Sequence, residues 1–346
     1  MNNPHLHDKY HYQRGLSIVE LVIALALGLL LISGVVHLFV GSKSTNNMLH
    51  GLSHIQENGR ISIERLKMDL RMAGHMGCSN FGVTVPNPIV PEAVFPFELN
   101  SVIQGIENAL DGNPEDAVAG TDVLTIITAS SADSALQGNM AAENSDIKIT
   151  DNPNQFQAGD TLVISDCENT DIFVASDVIN STTETTIKHS RNFEADSTTA
   201  TQNSSDNLSK AYRDNAMIMR VQQVSYAIQD TGRVDNAGNA IMSLFKTPRG
   251  GTAIEIITGV EDMQLTYGLD TGSNGTADIY DTADNITAAQ WGNVVSVRIA
   301  LLISTAADVG REKHPYTFNG TKEYFPADNR LRREFVTTVN LRNRNS

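Results

Sequence analysis

The chain has 346 residues, enough for one large domain or two ordinary ones with a sizeable core. Lys plus Arg total 25 and Asp plus Glu total 40, and the resulting net charge of -15 argues against a general nucleic-acid binder, which needs a basic face. Two cysteines exclude a four-cysteine zinc or iron–sulfur site and allow one internal disulfide at most.

The first 40 residues change character abruptly. Residues 1–15 (MNNPHLHDKYHYQRG) are polar, whereas residues 16–40 are apolar apart from Glu20 and His37. As a helix the apolar run would extend about 37 Å, which is enough to cross a hydrocarbon core about 30 Å thick. Lys9 and Arg14 favour a cytoplasmic leader and place the remaining chain across the membrane. The sequence therefore predicts a single-pass anchor followed by a large domain.

Glu20 is the unusual residue of this segment. A secretory signal has a shorter apolar run followed by a cleavage site of small residues, and this segment has no such site. An uncleaved signal anchor is an alternative interpretation of the same segment. An acid at the centre of a span costs about 2.5–3.5 kcal/mol and marks a functional position. If cleavage follows Gly15, Glu20 becomes the fifth residue, where the helix dipole and the α-amino group of a neighbouring chain would both favour its charge.

Residues 14–21, Arg-Gly-Leu-Ser-Ile-Val-Glu-Leu, resemble the class III signal of type IV pilins and pseudopilins. In that family a prepilin peptidase cleaves after the glycine and methylates the new N-terminus. The resemblance implies cleavage between Gly15 and Leu16, N-methylation of Leu16, and pairing of Glu20 with the N-terminus of a neighbouring subunit. The family usually has Phe where this chain has Leu16.

An amphipathic stretch follows the apolar run. Apolar residues recur every three or four positions with polar residues between them, the pattern of one helix face. We expect the helix to continue through residues 41–75 and to pack this stripe on a globular head. The stripe consists of Met48, Leu52, Ile55, Gly59, Ile63, Leu66 and Leu70.

Residues 76–346 are rich in short apolar and β-branched runs, which indicates strands. The alternation of apolar residues changes parity between Val221 and Val224, which predicts a β-bulge within one long strand. We expect an α+β fold, with the long N-terminal helix packed on a mainly antiparallel β-sheet head that carries long loops. The clearest predicted strands are residues 121–128, 161–165, 172–175, 184–188, 217–228, 295–303 and 331–341.

Four further segments resemble the PilW family of type IV pilus minor pilins. They are residues 69–78 (DLRMAGHMGC), 159–167 (GDTLVISDC), 259–268 (GVEDMQLTYG) and 330–343 (RLRREFVTTVNLRN). The resemblance implies a structural component that primes or caps the pilus with the major pilin, other minor pilins and a PilY-type tip adhesin. It also implies an inner-membrane protein with a periplasmic head, later incorporated near the pilus tip.

Two alternatives to this interpretation stay open. One is a pseudopilin of a type II secretion system, which shares the signal. The other is a periplasmic binding protein held by an uncleaved signal anchor, in which Glu20 would have no role.

A periplasmic head favours a disulfide between Cys78 and Cys167, because that compartment is oxidising. The alternative is a pair of buried free thiols.

A weak calcium pattern occurs at Asp270, Asn274 and Asp278, where oxygen-bearing side chains surround Gly275 at the sharp turn of the loop. Gly272 occupies the third position and no Glu occupies the twelfth, so a Gly/Asn/Asp hairpin loop is the simpler interpretation. No other cofactor is expected.

The sequence lacks the common catalytic signatures. G-x-S-x-G, Walker A and H-E-x-x-H motifs are absent, and His50 and His54 have no third ligand at suitable spacing. We therefore expect a structural assembly protein and not an enzyme.

Five arginines lie near the C-terminus, and strand-edge charge or salt bridges to a partner explain them most simply. Contact with DNA is the alternative. They are Arg330, Arg332, Arg333, Arg342 and Arg344.

Overall fold

The computed structural model describes residues 17–76, 79–80, 87–90, 102–129, 134–150, 152, 155–191, 203–309, 312–320 and 323–344. The chain divides into two compact units, an N-terminal unit of residues 1–50 and a head of residues 51–346. Within the described residues it forms one long helix, twenty strands and three short 3-10 helices.

The helix α1 is Ile18–Met72. The strands are β1 His75–Met76, β2 Ser79–Asn80, β3 Asn87–Pro88, β4 Ile103–Ile106, β5 Val123–Ala129, β6 Ser134–Ala135, β7 Ile147–Ile149, β8 Thr161–Ser165, β9 Thr170–Val174, β10 Asp177–Asn180, β11 Thr185–Lys188, β12 Met217–Val234, β13 Ala240–Pro248, β14 Ile254–Thr258, β15 Val260–Leu269, β16 Ile279–Asp281, β17 Val294–Ser304, β18 Tyr316–Thr317, β19 Glu323–Tyr324 and β20 Arg332–Asn340. The 3-10 helices are Ala283–Asn285, Ala288–Asn293 and Arg342–Arg344.

The α+β class predicted from the sequence is confirmed. A long apolar N-terminal helix precedes a mainly antiparallel β-sheet head, and β3–β9 is the parallel pair among the described strands. The helix runs without interruption through the boundary between the apolar and amphipathic stretches. Each of the seven strands expected in the head is present, with ends that differ by a few residues.

Strand β12 is the centre of the larger sheet, whose order is β14-β13-β12-β8-β9-β3. Its first residues pair with β6 and β8, and its later residues pair with β5 and β13. The short strand β4 extends the sheet beyond β5. Strand β12 therefore connects the part of the sheet that contains β6 and β8 with the part that contains β5 and β13.

The predicted bulge near residues 221–224 is wrong. Register with β8 and β5 is regular on either side of this point, and the register shift in β12 falls between Asp230 and Val234. The alternation of apolar residues changes parity along β12 because each face of the strand packs against a different core cluster. Ile218 packs into one core, Met219 faces a second, and Tyr226 enters the main core from the same face as Ile218.

A second sheet of four strands has the order β16-β15-β17-β20. Antiparallel register aligns Met263 with Leu301 and Leu265 with Ile299, so one face of this sheet is continuously apolar. That face, the head portion of α1 and part of the larger sheet enclose the main core. The opposite face is covered near Leu302 by the β18–β19 hairpin.

Asp122 joins the two sheets at a buried position. Its Oδ1 accepts the Asn108 N–H at 2.8 Å and its Oδ2 accepts the Leu265 N–H of β15 at 2.7 Å. The pKa of Asp122 is raised to about 7, chiefly by burial and to a smaller extent by the charges of Glu107 and Asp262, whereas the two hydrogen bonds act to lower it. The carboxyl group therefore binds a proton more tightly in the folded head than in the unfolded chain.

We expect the head to lose stability as pH rises from 4 to 8. In the unfolded chain Asp122 has its ordinary pKa of 3.8, so it loses its proton at a lower pH than in the folded head. Between these two pKa values each rise in pH therefore lowers the free energy of unfolding, and the loss ends when the folded group also ionises near pH 7. The contribution of Asp122 to the unfolding free energy over this interval is up to about 4 kcal/mol. Urea unfolding at several pH values measures it.

In this experiment Asp122→Asn should reduce the pH dependence, and the slope that remains comes from Asp262, whose pKa burial raises to about 6. Asp111→Asn, at an exposed position, should leave the slope unchanged. Equal slopes for Asp122→Asn and the parent chain would contradict the assignment.

Candidate functional site: the exposed apolar helix

The N-terminal unit presents an apolar surface on every side. From Ile18 to Phe39 the large apolar side chains of α1 are exposed, and Leu38, for example, is 76% exposed. An 18-residue window of α1 has a mean hydropathy of 2.6 and none of that window is buried within the chain. Such a surface is unfavourable in water because burial of apolar area is the main driving force of folding. By length and composition this part of α1 can cross a membrane.

Glu20 and Ser17 form a capping box at the start of α1. The Glu20 carboxylate accepts the Ser17 N–H at 3.2 Å, and the Ser17 hydroxyl oxygen accepts the Glu20 N–H at 3.2 Å. This reciprocal pair satisfies two backbone donors that an α-helix leaves open at its N-terminus. Sequence reasoning missed Ser17, although the S-x-x-E spacing is a readable capping signal.

The small residues of the exposed segment have open surroundings. A β-carbon added at Gly28, Gly34 or Gly41 would meet no atom within 4 Å. These glycines are therefore not required for packing within the chain. Their smooth surface permits close approach of another helix, as small residues do in helix pairs within lipid.

In the head, small residues of α1 lie against the four-stranded sheet. A β-carbon at Gly51 would lie 2.8 Å from Thr305 Cγ2 and 2.9 Å from Val309 Cγ1, and one at Gly59 would overlap the ring of Phe335. Ser62 is fully buried on the same side of the helix. The buried stripe consists of Gly51, Ile55, Gly59, Ser62, Leu66 and Leu70. The predicted stripe was wrong at Met48, which is exposed, and it included Leu52 and Ile63, which are only half-buried, in place of Gly51 and Ser62.

Asp69 ties the last turns of α1 to the larger sheet. Its Oδ2 accepts a hydrogen bond from the Tyr226 hydroxyl of β12 and lies 2.9 Å from Lys246 Nζ of β13. Arg65 approaches the same oxygen at 3.6 Å. Burial and the Asp69 carboxylate raise the pKa of Tyr226 above its ordinary value, so the phenol stays protonated and donates.

Two of the C-terminal arginines belong to a buried ion-pair network. Arg332 lies between Glu261 and Asp328, with Nε 2.5 Å from Glu261 Oε2 and Nη1 2.6 Å from Asp328 Oδ1. Arg330 Nε contacts Asp328 at 2.8 Å. Hydrogen bonds from Arg332 and Arg330 hold the pKa of Asp328 well below its usual range. Arg330 and Arg332 therefore form salt bridges within the head, whereas the sequence predicted salt bridges to a partner or strand-edge charge, with DNA contact as the alternative.

The predicted calcium residues lie in the loop between β15 and β16. Asp270 accepts the backbone N–H groups of Asn274 and Gly275 at 3.1 and 2.7 Å, and Asp278 accepts those of Thr271 and Gly272 at 2.8 and 2.9 Å. Among the described residues, no group of three or more His, Cys, Asp or Glu residues is arranged to hold a metal. The hydrogen bonds explain the loop composition without a cation and favour the hairpin-loop interpretation.

Three predicted site residues lie outside the described part of the chain. They are Gly15 and Leu16 of the cleavage site and Cys78 of the disulfide. Cleavage and the pairing of Cys78 with Cys167 therefore stay predictions.

The described residues define a class of protein with a β-sheet head and, before it, a long exposed apolar helix that suggests membrane anchoring. The sequence model of the family described as Type IV Pilus-assembly protein W matches residues 226–343, about a third of the chain. The matched stretch runs from the middle of β12 through β20. It supports the PilW family and indicates a role in type IV pilus assembly in the cell envelope. No curated protein matches the chain.

We expect Arg332→Met to destabilise the head by about 3–5 kcal/mol, because it leaves the Glu261 carboxylate buried with only a 3.5 Å contact to Arg330. Arg333→Met, at the adjacent exposed position, should change the unfolding free energy by about 0.5 kcal/mol or less. Urea unfolding followed by circular dichroism measures both.

Adding Glu261→Gln to Arg332→Met should recover part of the lost stability. Equal unfolding free energies for Arg332→Met and Arg333→Met would mean that the network does not stabilise the head.

Proposed function

We propose that this chain is a minor pilin that helps to prime or cap the type IV pilus together with other minor pilins, the major pilin and a PilY-type tip adhesin. Residues 1–15 act as a prepilin leader, a prepilin peptidase cleaves after Gly15, and Leu16 becomes the N-methylated N-terminus. The head lies in the periplasm until the subunit enters the filament near its tip.

The exposed apolar segment of α1 carries this proposal. Its side chains, from Ile18 to Phe39, need an apolar environment that the chain itself does not supply. A lipid bilayer meets this need before assembly, and the helices of neighbouring subunits meet it within a filament. The PilW match in the head supports a pilus over a secretion system as the assembly in which this happens.

The capping box gives Glu20 two roles that can be separated. Within the chain its carboxylate caps the helix through the Ser17 N–H. In the filament the same charge neutralises the α-amino group of an adjacent subunit, which fixes the axial position of an incoming helix. The side chain is exposed, so the geometry leaves it accessible to such a partner.

No group in this mechanism makes or breaks a bond in a substrate. Subunit addition needs energy from a cytoplasmic motor, since the sequence carries no nucleotide-binding motif. The protein therefore acts through packing and charge pairing and not as an enzyme.

Processing is tested by mass spectrometry of the membrane-extracted protein from cells with and without prepilin peptidase. We expect a chain that begins at methylated Leu16 when the peptidase is present and a chain that begins at Met1 when it is absent. A chain that begins at Met1 in both strains would indicate a signal-anchored periplasmic protein and would end the filament proposal.

Three variants separate the charge of Glu20 from its capping role. Glu20→Gln retains the cap, because Gln serves at this position of a capping box, but it removes the charge. Ser17→Ala retains the charge and removes the hydroxyl cap, at a cost of about 0.5–2 kcal/mol in helix stability. We expect Glu20→Gln and Glu20→Ala to insert normally and to reduce filament number by about tenfold or more, the effect of losing one favourable pairing of about 1.4 kcal/mol.

Filaments are counted by electron microscopy and membrane insertion by fractionation. Ser17→Ala should assemble close to normally. Normal piliation with Glu20→Gln would refute charge pairing and leave the cap as the only role of this residue.

A further inference from the structure

Strand β12 changes partners along one of its edges, and a gap lies between the two partners. The β8 ladder ends at the pair Arg220–Leu162. The β13 ladder begins at the pair Val224–Pro248. Residues 221–223 therefore lie between the ends of two ladders on this edge, while β5 pairs with the same residues along the opposite edge.

A cavity of about 360 Å³ occupies this gap in the head. Its floor is formed by residues 220–224 of β12, and its two sides are formed by the ends of the neighbouring strands, at Thr161 of β8 and Pro248 of β13. Small-molecule sites in proteins are concave and begin at about 300 Å³. The cavity is therefore large enough for a small organic molecule.

Positive charge exceeds negative charge among the described residues that line the cavity. Arg220, Lys246 and Arg249 contribute three cationic side chains, whereas Asp160 contributes one carboxylate. The formal charge of the lining is consequently +2, in a chain whose net charge is -15. A recess lined mainly by one sign of charge concentrates its field and attracts ions of the opposite sign.

Two of these cations are positioned by carboxylates. Arg220 Nη2 lies 2.6 Å from Asp160 Oδ2 in the cavity wall. Lys246 Nζ lies 2.9 Å from Asp69 Oδ2, and Arg65 approaches the same oxygen at 3.6 Å. Asp69 is thus shared by two cations, so counting Asp69 together with Arg65 leaves the local excess of positive charge unchanged. The carboxylates orient the cations and do not neutralise the cavity as a whole.

Arg249 lies directly after β13 and is exposed. Its N–H donates to the Gln223 carbonyl oxygen at 2.9 Å, and its Nη1 donates to the Gln223 side-chain oxygen at 3.1 Å. These two bonds hold the residue at the gap in the sheet. A guanidinium group has five N–H donors in a planar fork that matches the oxygen atoms of a carboxylate or phosphate.

We propose that the cavity between β8 and β13 binds a small molecule that carries two negative charges on oxygen atoms, as a phosphate or a dicarboxylate does. Lys246 and Arg249 contact the anion, and the formal charge of +2 selects a dianion over a neutral or cationic molecule. Nucleic acid or a long acidic polypeptide is a poorer fit, because beyond the cavity it would face a strongly acidic chain.

This inference goes beyond the minor-pilin proposal, because it requires neither leader cleavage nor filament assembly. Its failure would leave that proposal unaffected.

The test uses the full chain in nonionic detergent and isothermal titration calorimetry at neutral pH. The probes are inorganic phosphate, succinate and succinamide, which is the uncharged analogue of succinate. We expect saturable binding of phosphate or succinate, with one molecule per chain, and no binding of succinamide. The anion that binds more tightly identifies the ligand as a phosphate or a dicarboxylate. The proposal is overturned if neither anion binds or if succinamide binds as well as succinate.

Variants of Arg249 locate the bound anion. Arg249→Gln should weaken binding by about tenfold, because it removes a charged hydrogen-bond donor. Arg249→Glu lowers the formal charge of the lining from +2 to zero and should abolish binding. Arg333→Gln and Arg333→Glu make the same charge changes at an exposed position of the other sheet and should have no effect.

Hydrogen exchange supplies an independent readout, in which the anion should protect amides within residues 220–224 and 246–249. The proposal is overturned if Arg249→Glu binds the anion as the parent chain does. It is also overturned if Arg333→Glu weakens binding equally, because the anion would then respond only to the net charge of the chain.

Discussion

The head depends on the close approach of α1 to the four-stranded sheet. Gly51 and Gly59 allow it, because each lacks a β-carbon where Thr305, Val309 and the ring of Phe335 come nearest. With the helix at this distance, Ile55, Leu66 and Leu70 are almost fully buried in the main core. A larger residue at either glycine would force a shift of the helix or of the sheet, and tightly packed cores accommodate added volume poorly.

Polar groups connect the parts that this packing brings together. Asp69 links α1 to β12 and β13, whereas Asp122 links the loop before β5 to β15 of the other sheet. Both carboxylates are withdrawn from water and have specific donors, as buried polar groups require. Apolar burial brings the layers of the head together, while these directional bonds define how the two sheets are positioned.

The arginines near the C-terminus show how the same residue type can serve different purposes within a few positions. Arg330 and Arg332 are fixed by Asp328 and Glu261, whereas Arg333 and Arg342 remain exposed. A basic cluster in the sequence is therefore not a basic patch on the surface.

The sequence by itself determined the features that depend on local pattern. The uninterrupted apolar run identified the exposed half of α1, three-and-four spacing identified its amphipathic half, and β-branched runs identified the main strands, because each pattern reflects the period of one element. Tertiary structure decided which residues meet. Tyr226 and Asp69 are 157 residues apart in the chain, and Arg332 and Glu261 are 71 apart, so no local pattern pairs them. The predicted bulge in β12 was wrong for the same reason. The prediction assumed that the strand has one buried face, whereas the surrounding layers of the head bury both of its faces.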